Sequence, residues 1–218
     1  MKKLVEDYLS GLKAKLARLE KREELADWSR VSGATEADLA ALKAVYPDCP
    51  DALIELLRRV DGTYWREYQD KKITLEVFGS TCFDWHGKPY AYPYYLLSAA
   101  QILESAKDEG DMCDRFCQEP EDILDVIDVD ARIDPMLPMG RRLHFADCIN
   151  NGGSSQLYID FNPKNGGKAG QIVRYLHDPD GFDIIGDSFA AYLEALMEGG
   201  FAFCDDDFLC DDDDDEET

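Results

Sequence analysis

The chain has 218 residues, of which 45% are hydrophobic and 11% aromatic, enough to form a core and to exclude a wholly disordered protein. Its 23 lysines and arginines face 46 aspartates and glutamates, and the net charge of −23 repels phosphate backbones, which argues against direct nucleic-acid binding. The length fits one domain with terminal extensions.

The distribution of apolar and charged residues along the chain predicts a cytoplasmic protein without a membrane span. Glu6 and Asp7 interrupt the start of the chain before a signal-like apolar run develops, and no window approaches the ~20 apolar residues of a membrane helix. Seven cysteines form an odd set without regular spacing, which predicts reduced thiols. Cys113 and Cys117 are four apart, but no second pair or nearby histidine completes a zinc site, so no metal or other cofactor is predicted.

The front of the chain predicts three helices. Residues 4–19 place apolar side chains at helical spacing, which indicates an amphipathic helix that is either docked on the protein or available to a partner. Thr35 and Asp38 resemble an N-terminal capping pair, and the helix they begin ends before Pro47. A further helix begins near Pro50.

The middle of the chain combines aromatic and acidic segments. Residues 73–78 alternate as a strand does, and the proline- and tyrosine-rich residues 83–95 are predicted to be an aromatic loop or an irregular edge strand. Ser98 caps the next helix. Residues 104–134, the acidic belt, then carry twelve acidic and three basic side chains and are predicted to be helical in pieces.

The back of the chain has the clearest pattern. Residues 143–146, 156–161 and 170–176 read as three short strands separated by glycine- and asparagine-rich turns, typical of a meander. Asp187 or Ser188 then caps a helix with one apolar face, which should lie across the sheet.

Charge divides the chain into three parts. Residues 1–34 carry eight basic and six acidic side chains and form a helical extension, and residues 35–203 form the folded domain. Residues 204–218 carry ten acidic side chains and no basic one, which predicts a disordered tail because such a segment cannot bury enough apolar area.

Catalytic patterns are missing from the sequence. The three histidines are His86, His144 and His177, and none accompanies a nucleophile elbow; His144 is interpreted as a strand residue. The glycine-rich residues 165–170 lack the order of a phosphate-binding loop and are interpreted as a hairpin connection. We therefore predict that the protein is not an enzyme.

Several short pieces together resemble a known family. They are Phe145-Ala146-Asp147, Asp160-Phe161-Asn162-Pro163, Gly170-Gln171 and Ser188-Phe189, in that order. This set resembles the SUKH superfamily in its Smi/Knr-like branch, over roughly residues 35–200, although Asp61 stands where the family often has asparagine. The resemblance implies a single α+β domain with a mixed or antiparallel sheet flanked by helices.

The resemblance also implies a binding role. Many bacterial members are immunity proteins that bind and neutralise toxins, often nucleases, whereas a fungal relative is an adaptor. We predict an immunity protein whose acidic surface covers a basic toxin domain, with an adaptor or regulator on the same fold as the alternative and an enzyme without a recognisable motif as a third reading. The partner's identity, the oligomeric state and the core or interface role of residues 83–95 stay open.

Candidate partner-binding residues combine aromatic side chains, which are frequent interface hot spots, with acidic belt carboxylates. They are Trp65, Trp85, Tyr92, Asp111, Asp114, Glu119 and Glu121.

Overall fold

A computed structural model describes residues 1–83, 89–117, 122–148, 155–177 and 179–205, with only the backbone of Phe83. The helices are α1 (Lys2–Arg18), α2 (Arg22–Trp28), α3 (Glu36–Val45), α4 (Asp51–Leu57), α5 (Ala99–Ser105), α6 (Met112–Phe116), α7 (Ile123–Val126) and α8 (Phe189–Glu198). The strands are β1 (Arg66–Tyr68), β2 (Lys71–Ile73), β3 (Glu76–Phe83), β4 (Pro89–Leu96), β5 (Asp128–Val129), β6 (Leu143–Asp147), β7 (Gln156–Asp160), β8 (Gln171–Leu176) and β9 (Gly181–Gly186).

A seven-stranded sheet organises the fold. Its strand order is β3-β4-β6-β7-β8-β9-β5, and β1 and β2 form a separate antiparallel hairpin. Within the large sheet β5 runs parallel to β9, while the other neighbouring strands are antiparallel. The predicted α+β domain with a mixed sheet flanked by helices is therefore confirmed.

The sheet separates two hydrophobic cores, because alternate side chains of a strand point to opposite faces. Leu157 and Ile159 of β7 belong to the main core with α1, α4 and α8, whereas Tyr158 belongs to a second core. Met112 of α6 and Ile123 of α7 close that second core. The two short helices of the acidic belt are thus held by apolar contacts to the sheet.

Helix α1 is docked, which settles one alternative left open by the sequence. Tyr8, Leu12 and Leu16 are buried in the main core. The Tyr8 hydroxyl donates to the carbonyl of Val77, and its ring lies 5.3 Å from that of Phe201. The apolar face of α1 is therefore used within the protein.

Side-chain caps fix the predicted helix starts. Thr35 and Asp38 form a reciprocal capping box at α3, and Ser98 forms one with Gln101 at α5. The Ser188 hydroxyl accepts from the backbone N–H of Ala191 at α8. Each cap satisfies backbone donors that the first helical turn leaves free, which explains why these starts are readable from sequence.

The predicted strand at residues 73–78 is only partly correct. Ile73 ends β2 and Glu76 begins β3, so the chain changes sheets between them. Ile73, Leu75 and Val77 are buried while Thr74 and Glu76 are only partly buried, so burial alternates across the change of sheet. The alternation of apolar residues therefore did not reveal the break.

The aromatic segment forms strand β4 in its described part. Tyr90, Tyr92 and Pro93 of β4 pair with β3 on one side, while β6 pairs only with Tyr95 and Leu96. Proline is tolerated where a strand has a partner on one side only. The segment is therefore a strand, as one of the two alternatives predicted, and it has a partner on one side only over most of its length. Its register with β3 shifts once, between Glu76 and Phe78 opposite Tyr95 and Tyr94.

Strands β5 and β9 were missed by the sequence analysis. Strand β9 begins and ends at a glycine, and β5 has only two residues, so neither shows a clear alternation. Their pairing, Asp128 with Gly181 and Val129 with Phe182, joins distant parts of the chain. Pairing of this kind is decided by tertiary contacts.

The cysteines divide into two groups. Cys49, Cys82, Cys148 and Cys204 are free and buried, whereas Cys113 and Cys117 form a disulfide at α6. The expectation of reduced thiols is therefore wrong for this pair. Cys210 and the rest of the acidic tail from residue 206 lie outside the described residues.

A candidate protein-binding face

Helix α6 fixes two of the predicted carboxylates. Asp111 is its N-cap and accepts a hydrogen bond from the Asp114 backbone N–H, while the Asp114 carboxylate accepts one from the Asp111 N–H, both at 3.1 Å. This capping box stabilises a helix of only five residues, which is too short to form on its own. Both acidic groups are therefore presented by a defined backbone.

Helix α7 presents apolar side chains to solvent. Ile123 and Ile127 are buried in the second core, but Leu124 and Val126 are 64% and 54% exposed. Ile123 and Ile127 occupy the side of this one-turn helix that faces the second core. Leu124 and Val126 lie on the other side and do not reach that core. Asp122 and Asp125 lie beside this pair along the chain.

Residues 134–140, the 134–140 loop, hold another exposed apolar side chain next to α6. The Met112 N–H donates to Pro135 O at 3.1 Å, and Arg142, itself fully buried, donates from Nη1 to Leu137 O at 3.0 Å. These bonds fix the loop against the start of α6. Met136 within it is 41% exposed.

Charge in the described part of the belt is largely unbalanced. Its three cations, Lys107, Arg115 and Arg132, are each paired with a nearby carboxylate. Six other carboxylates among the described belt residues form no ion pair with lysine, arginine or histidine. They are Glu109, Asp111, Asp114, Asp122, Asp125 and Asp128.

We call the surface of α6, α7 and the 134–140 loop the acidic–apolar face. Its apolar members were not predicted from the sequence. The signal was present, since the adjacent pairs Ile123-Leu124 and Val126-Ile127 supply more apolar side chains than a one-turn helix buries on one side. Predicted residues Glu119 and Glu121, between α6 and α7, lie outside the described residues.

The predicted aromatic residues lie on other elements. Trp65 precedes the β1–β2 hairpin and is 48% exposed, with a left-handed φ of 53° and Lys72 Nζ 5.1 Å from its ring centroid. Tyr92 is half-buried on β4, where its ring lies 5.1 Å from that of Tyr90. Trp85 lies outside the described residues. Trp65 and Tyr92 therefore belong to surfaces distinct from α6 and α7.

The buried side chain of His144, on β6, lacks the features of an open catalytic site. His144 is 6% exposed, and its Nε2 lies 3.0 Å from Ala146 O while its Nδ1 lies 3.3 Å from Ser105 Oγ. Burial lowers the pKa of His144 to about 4. Its partners and its place on β6 make it a hydrogen-bonded strand residue, as predicted.

The pieces that carry the family resemblance have a structural role around the β7–β8 turn. Asp160 is fully buried and accepts from the Asn162 N–H at 2.9 Å and from Gln171 Nε2 at 3.2 Å. Gln171 Oε1 in turn accepts from the Lys168 N–H at 3.1 Å. These bonds satisfy buried polar groups and hold the turn in one shape.

Neither a metal-binding cluster nor a membrane-spanning helix is found in the part of the chain that the structure describes. It contains no cluster of three or more histidine, cysteine, aspartate or glutamate side chains arranged to hold a metal ion. Within the same residues, no helix combines the length and apolar character needed to cross a membrane.

Comparison with known proteins bears on the fold and the family. A search among curated proteins finds no match. A scan against protein families matches residues 33–195, well over half of the chain, to the SMI1 / KNR4 family (SUKH-1). The match spans every strand of the mixed sheet and both short helices of the acidic–apolar face. The chain therefore belongs to the SMI1 / KNR4 family (SUKH-1).

Proposed function

We propose that this protein is a cytoplasmic, non-enzymatic immunity protein that binds a basic toxin domain, such as a nuclease, through the acidic–apolar face. The family is known for immunity-protein-like domains that bind protein partners. One observation carries the assignment to this face. Of six large apolar side chains that are exposed among the described residues, Leu124, Val126 and Met136 lie here.

The two kinds of side chain have complementary tasks in this proposal. Unpaired carboxylates attract a positively charged partner over long range and accelerate encounter. Apolar side chains gain free energy only when contact excludes water, so they govern how long the complex lasts. A nuclease suits such a face because its own substrate-binding surface must be positive to hold phosphates.

The structure argues against one way in which the alternative, an adaptor, could recruit its partner. Recruitment through the N-terminal helix requires an available apolar face, whereas Tyr8, Leu12 and Leu16 are buried. A toxin gene directly upstream of this gene in the host genome would favour immunity, and an isolated gene would favour the adaptor.

The first test is capture of the partner from the native host, followed by binding kinetics of the wild type and the double variant Leu124→Ala/Val126→Ala. If these residues anchor the complex, we expect dissociation to accelerate about thirtyfold, corresponding to ~2 kcal/mol for a hot spot. Association should change little, because truncating apolar side chains leaves the charge intact. Both side chains are exposed, so the melting temperature of the free protein should stay within a few degrees of the wild-type value.

Matched truncations separate this face from the other predicted residues. Trp65→Ala and Tyr92→Ala show whether the partner also reaches the β1–β2 hairpin or β4. An unchanged dissociation rate for Leu124→Ala/Val126→Ala, with a bound partner in hand, would remove the acidic–apolar face from the interface.

A further inference from the structure

A groove borders the acidic–apolar face at the end of the 134–140 loop. Its volume is about 330 Å³, and it lies between the end of α3, the end of α5, the end of the loop and the turn after β7. Pockets of at least roughly 300 Å³ accommodate small organic ligands or a few peptide groups. The residues that matter for its chemistry are Val45, Tyr46, Asp48, Arg141, Phe161 and Asn162.

The groove has an apolar wall. Val45 is 50% exposed although it ends a helix whose Leu39 and Leu42 are buried. Phe161 is half-buried, and its ring centroid lies 6.2 Å from that of Tyr46. An aliphatic or aromatic group placed here would remove the exposed parts of Val45 and Phe161 from water.

Arg141 supplies a positive charge beside this wall. From residue 32 onward, all but three of the lysines and arginines that the structure describes pair with a carboxylate. Lys72 lies over the Trp65 ring, and Arg142 is buried against backbone carbonyls. The third, Arg141, is exposed and has no carboxylate partner among the described residues, although the chain carries 46 acidic side chains.

The remaining polar groups restrict what fits. Asp48 also lines the groove and would repel an anion that carries no hydrogen-bond donor. An N–H group next to the anion satisfies Asp48, and the exposed Asn162 side chain both donates and accepts hydrogen bonds. A peptide end combines these features, with a carboxylate, a neighbouring backbone N–H and a side chain.

The groove is held rigidly, so that little ordering is needed on binding. The Tyr46 hydroxyl lies 2.7 Å from Gly140 O and 3.2 Å from Arg142 O, and it donates to these carbonyls. A Cβ atom at Gly140 would lie 2.5 Å from Ala106 O, so only glycine permits this close packing of the loop against the end of α5.

We infer that this groove binds the C-terminal end of a polypeptide, with the terminal carboxylate at Arg141, the last backbone N–H at Asp48, and an apolar or aromatic last side chain against Val45 and Phe161. The inference rests on the groove alone and is independent of the toxin-binding proposal. It gives the protein a second contact site with the opposite charge preference.

The test is an NMR titration of the isotope-labelled full chain with acetyl-alanyl-phenylalanine and, separately, with its C-terminal amide. We expect the acid to perturb amide signals around residues 45–48, 140–141 and 161–162 with a Kd on the order of 1 mM, as befits a ligand of this size. The amide should bind about tenfold more weakly, because it lacks the charge-assisted bond to Arg141.

Two variants decide whether Arg141 is responsible. Arg141→Gln should abolish the preference for the acid over the amide, and its fold should persist because the side chain is exposed without an ion pair. Arg30→Gln, an exposed arginine also without an ion pair, should keep that preference. Equal binding of acid and amide by the wild type, an unchanged preference in Arg141→Gln, perturbations confined to other surfaces, or no saturable binding up to ten times the expected Kd would each overturn the inference.

Discussion

At the residue scale, the shifted pKa values of His144 and Asp147 make stability change with pH in opposite directions. Burial lowers the pKa of His144 to about 4 from its ordinary 6.5, so its contribution to stability is complete above pH 6.5 and is lost as pH falls towards 4. Burial raises the pKa of Asp147 to about 6 from 3.8, so its contribution is complete below 3.8 and is lost as pH rises through 6. The two trends offset one another between pH 4 and 6.

Removing either group should therefore tilt the pH dependence in a known direction. Relative to the wild type, the free energy of unfolding of Asp147→Asn should rise between pH 4 and 6, by about 2–3 kcal/mol. That of His144→Gln should fall over pH 4 to 6.5. Urea unfolding at several pH values measures both, and curves parallel to the wild type would show that burial does not shift these groups.

At the element scale, α1 behaves as part of the core although it lies outside the family match. The match begins at residue 33, yet Val5, Tyr8, Leu9, Leu12 and Leu16 of α1 are all buried in the main core. Residues 1–34 were predicted to be an extension of the domain because of their sequence pattern and their charge. Its packing joins α1 to α4 and α8.

Truncation within α1 tests this docking. Leu12→Ala should lower the free energy of unfolding by about 3 kcal/mol, because Leu12 is fully buried and its loss leaves a cavity. Ser10→Ala, at an exposed position of the same helix, should change it by less than ~0.5 kcal/mol. Similar values for the two variants in urea unfolding would mean that α1 is not held by the core.

At the scale of the whole molecule, the net charge of −23 would attract the basic partner that we propose. Screening acts over roughly 8–10 Å at physiological salt, so it weakens long-range attraction more than close contacts. The basic side chains of residues 1–34 and the carboxylates of the acidic–apolar face lie on different helices.

Salt and charge should therefore act on the association rate. Raising ionic strength from about 20 mM to 150 mM should slow association with the captured partner about tenfold and leave dissociation nearly unchanged. Asp111→Asn, Asp114→Asn, Asp122→Asn and Asp125→Asn together should slow association several-fold at low salt, and asparagine preserves the N-cap at residue 111.

A matched set of neutralised carboxylates provides the control. Asp7→Asn, Glu23→Gln, Glu194→Gln and Glu198→Gln remove the same charge from exposed positions on α1, α2 and α8, on the main-core side of the sheet. If both sets slow association equally, only net charge matters and the acidic–apolar face has no special role.

The sequence by itself determined the features that depend on near neighbours. Thr35 and Ser98 begin helices because their hydroxyls cap backbone N–H groups three residues along, a contact that any chain with this sequence can form. The three strands of the meander were likewise readable, since each is a short apolar run bounded by a glycine- and asparagine-rich segment. Composition argues against nucleic-acid binding, which stays a prediction. The order of short motifs indicated the family that the comparison then showed.

Only the tertiary structure decided which apolar side chains are left outside. Leu124 and Ile123 have the same chemistry and adjacent positions, yet Ile123 is 3% exposed and Leu124 64% exposed, because the sheet can cover only one side of α7. The partners of that helix come from β8 and β9, some fifty residues later in the chain. Burial depends on such distant contacts, whereas caps and turns depend on adjacent residues. The sequence therefore indicated the acidic residues of the candidate face and an excess of apolar side chains in α7, and the fold decided which of those apolar side chains are exposed.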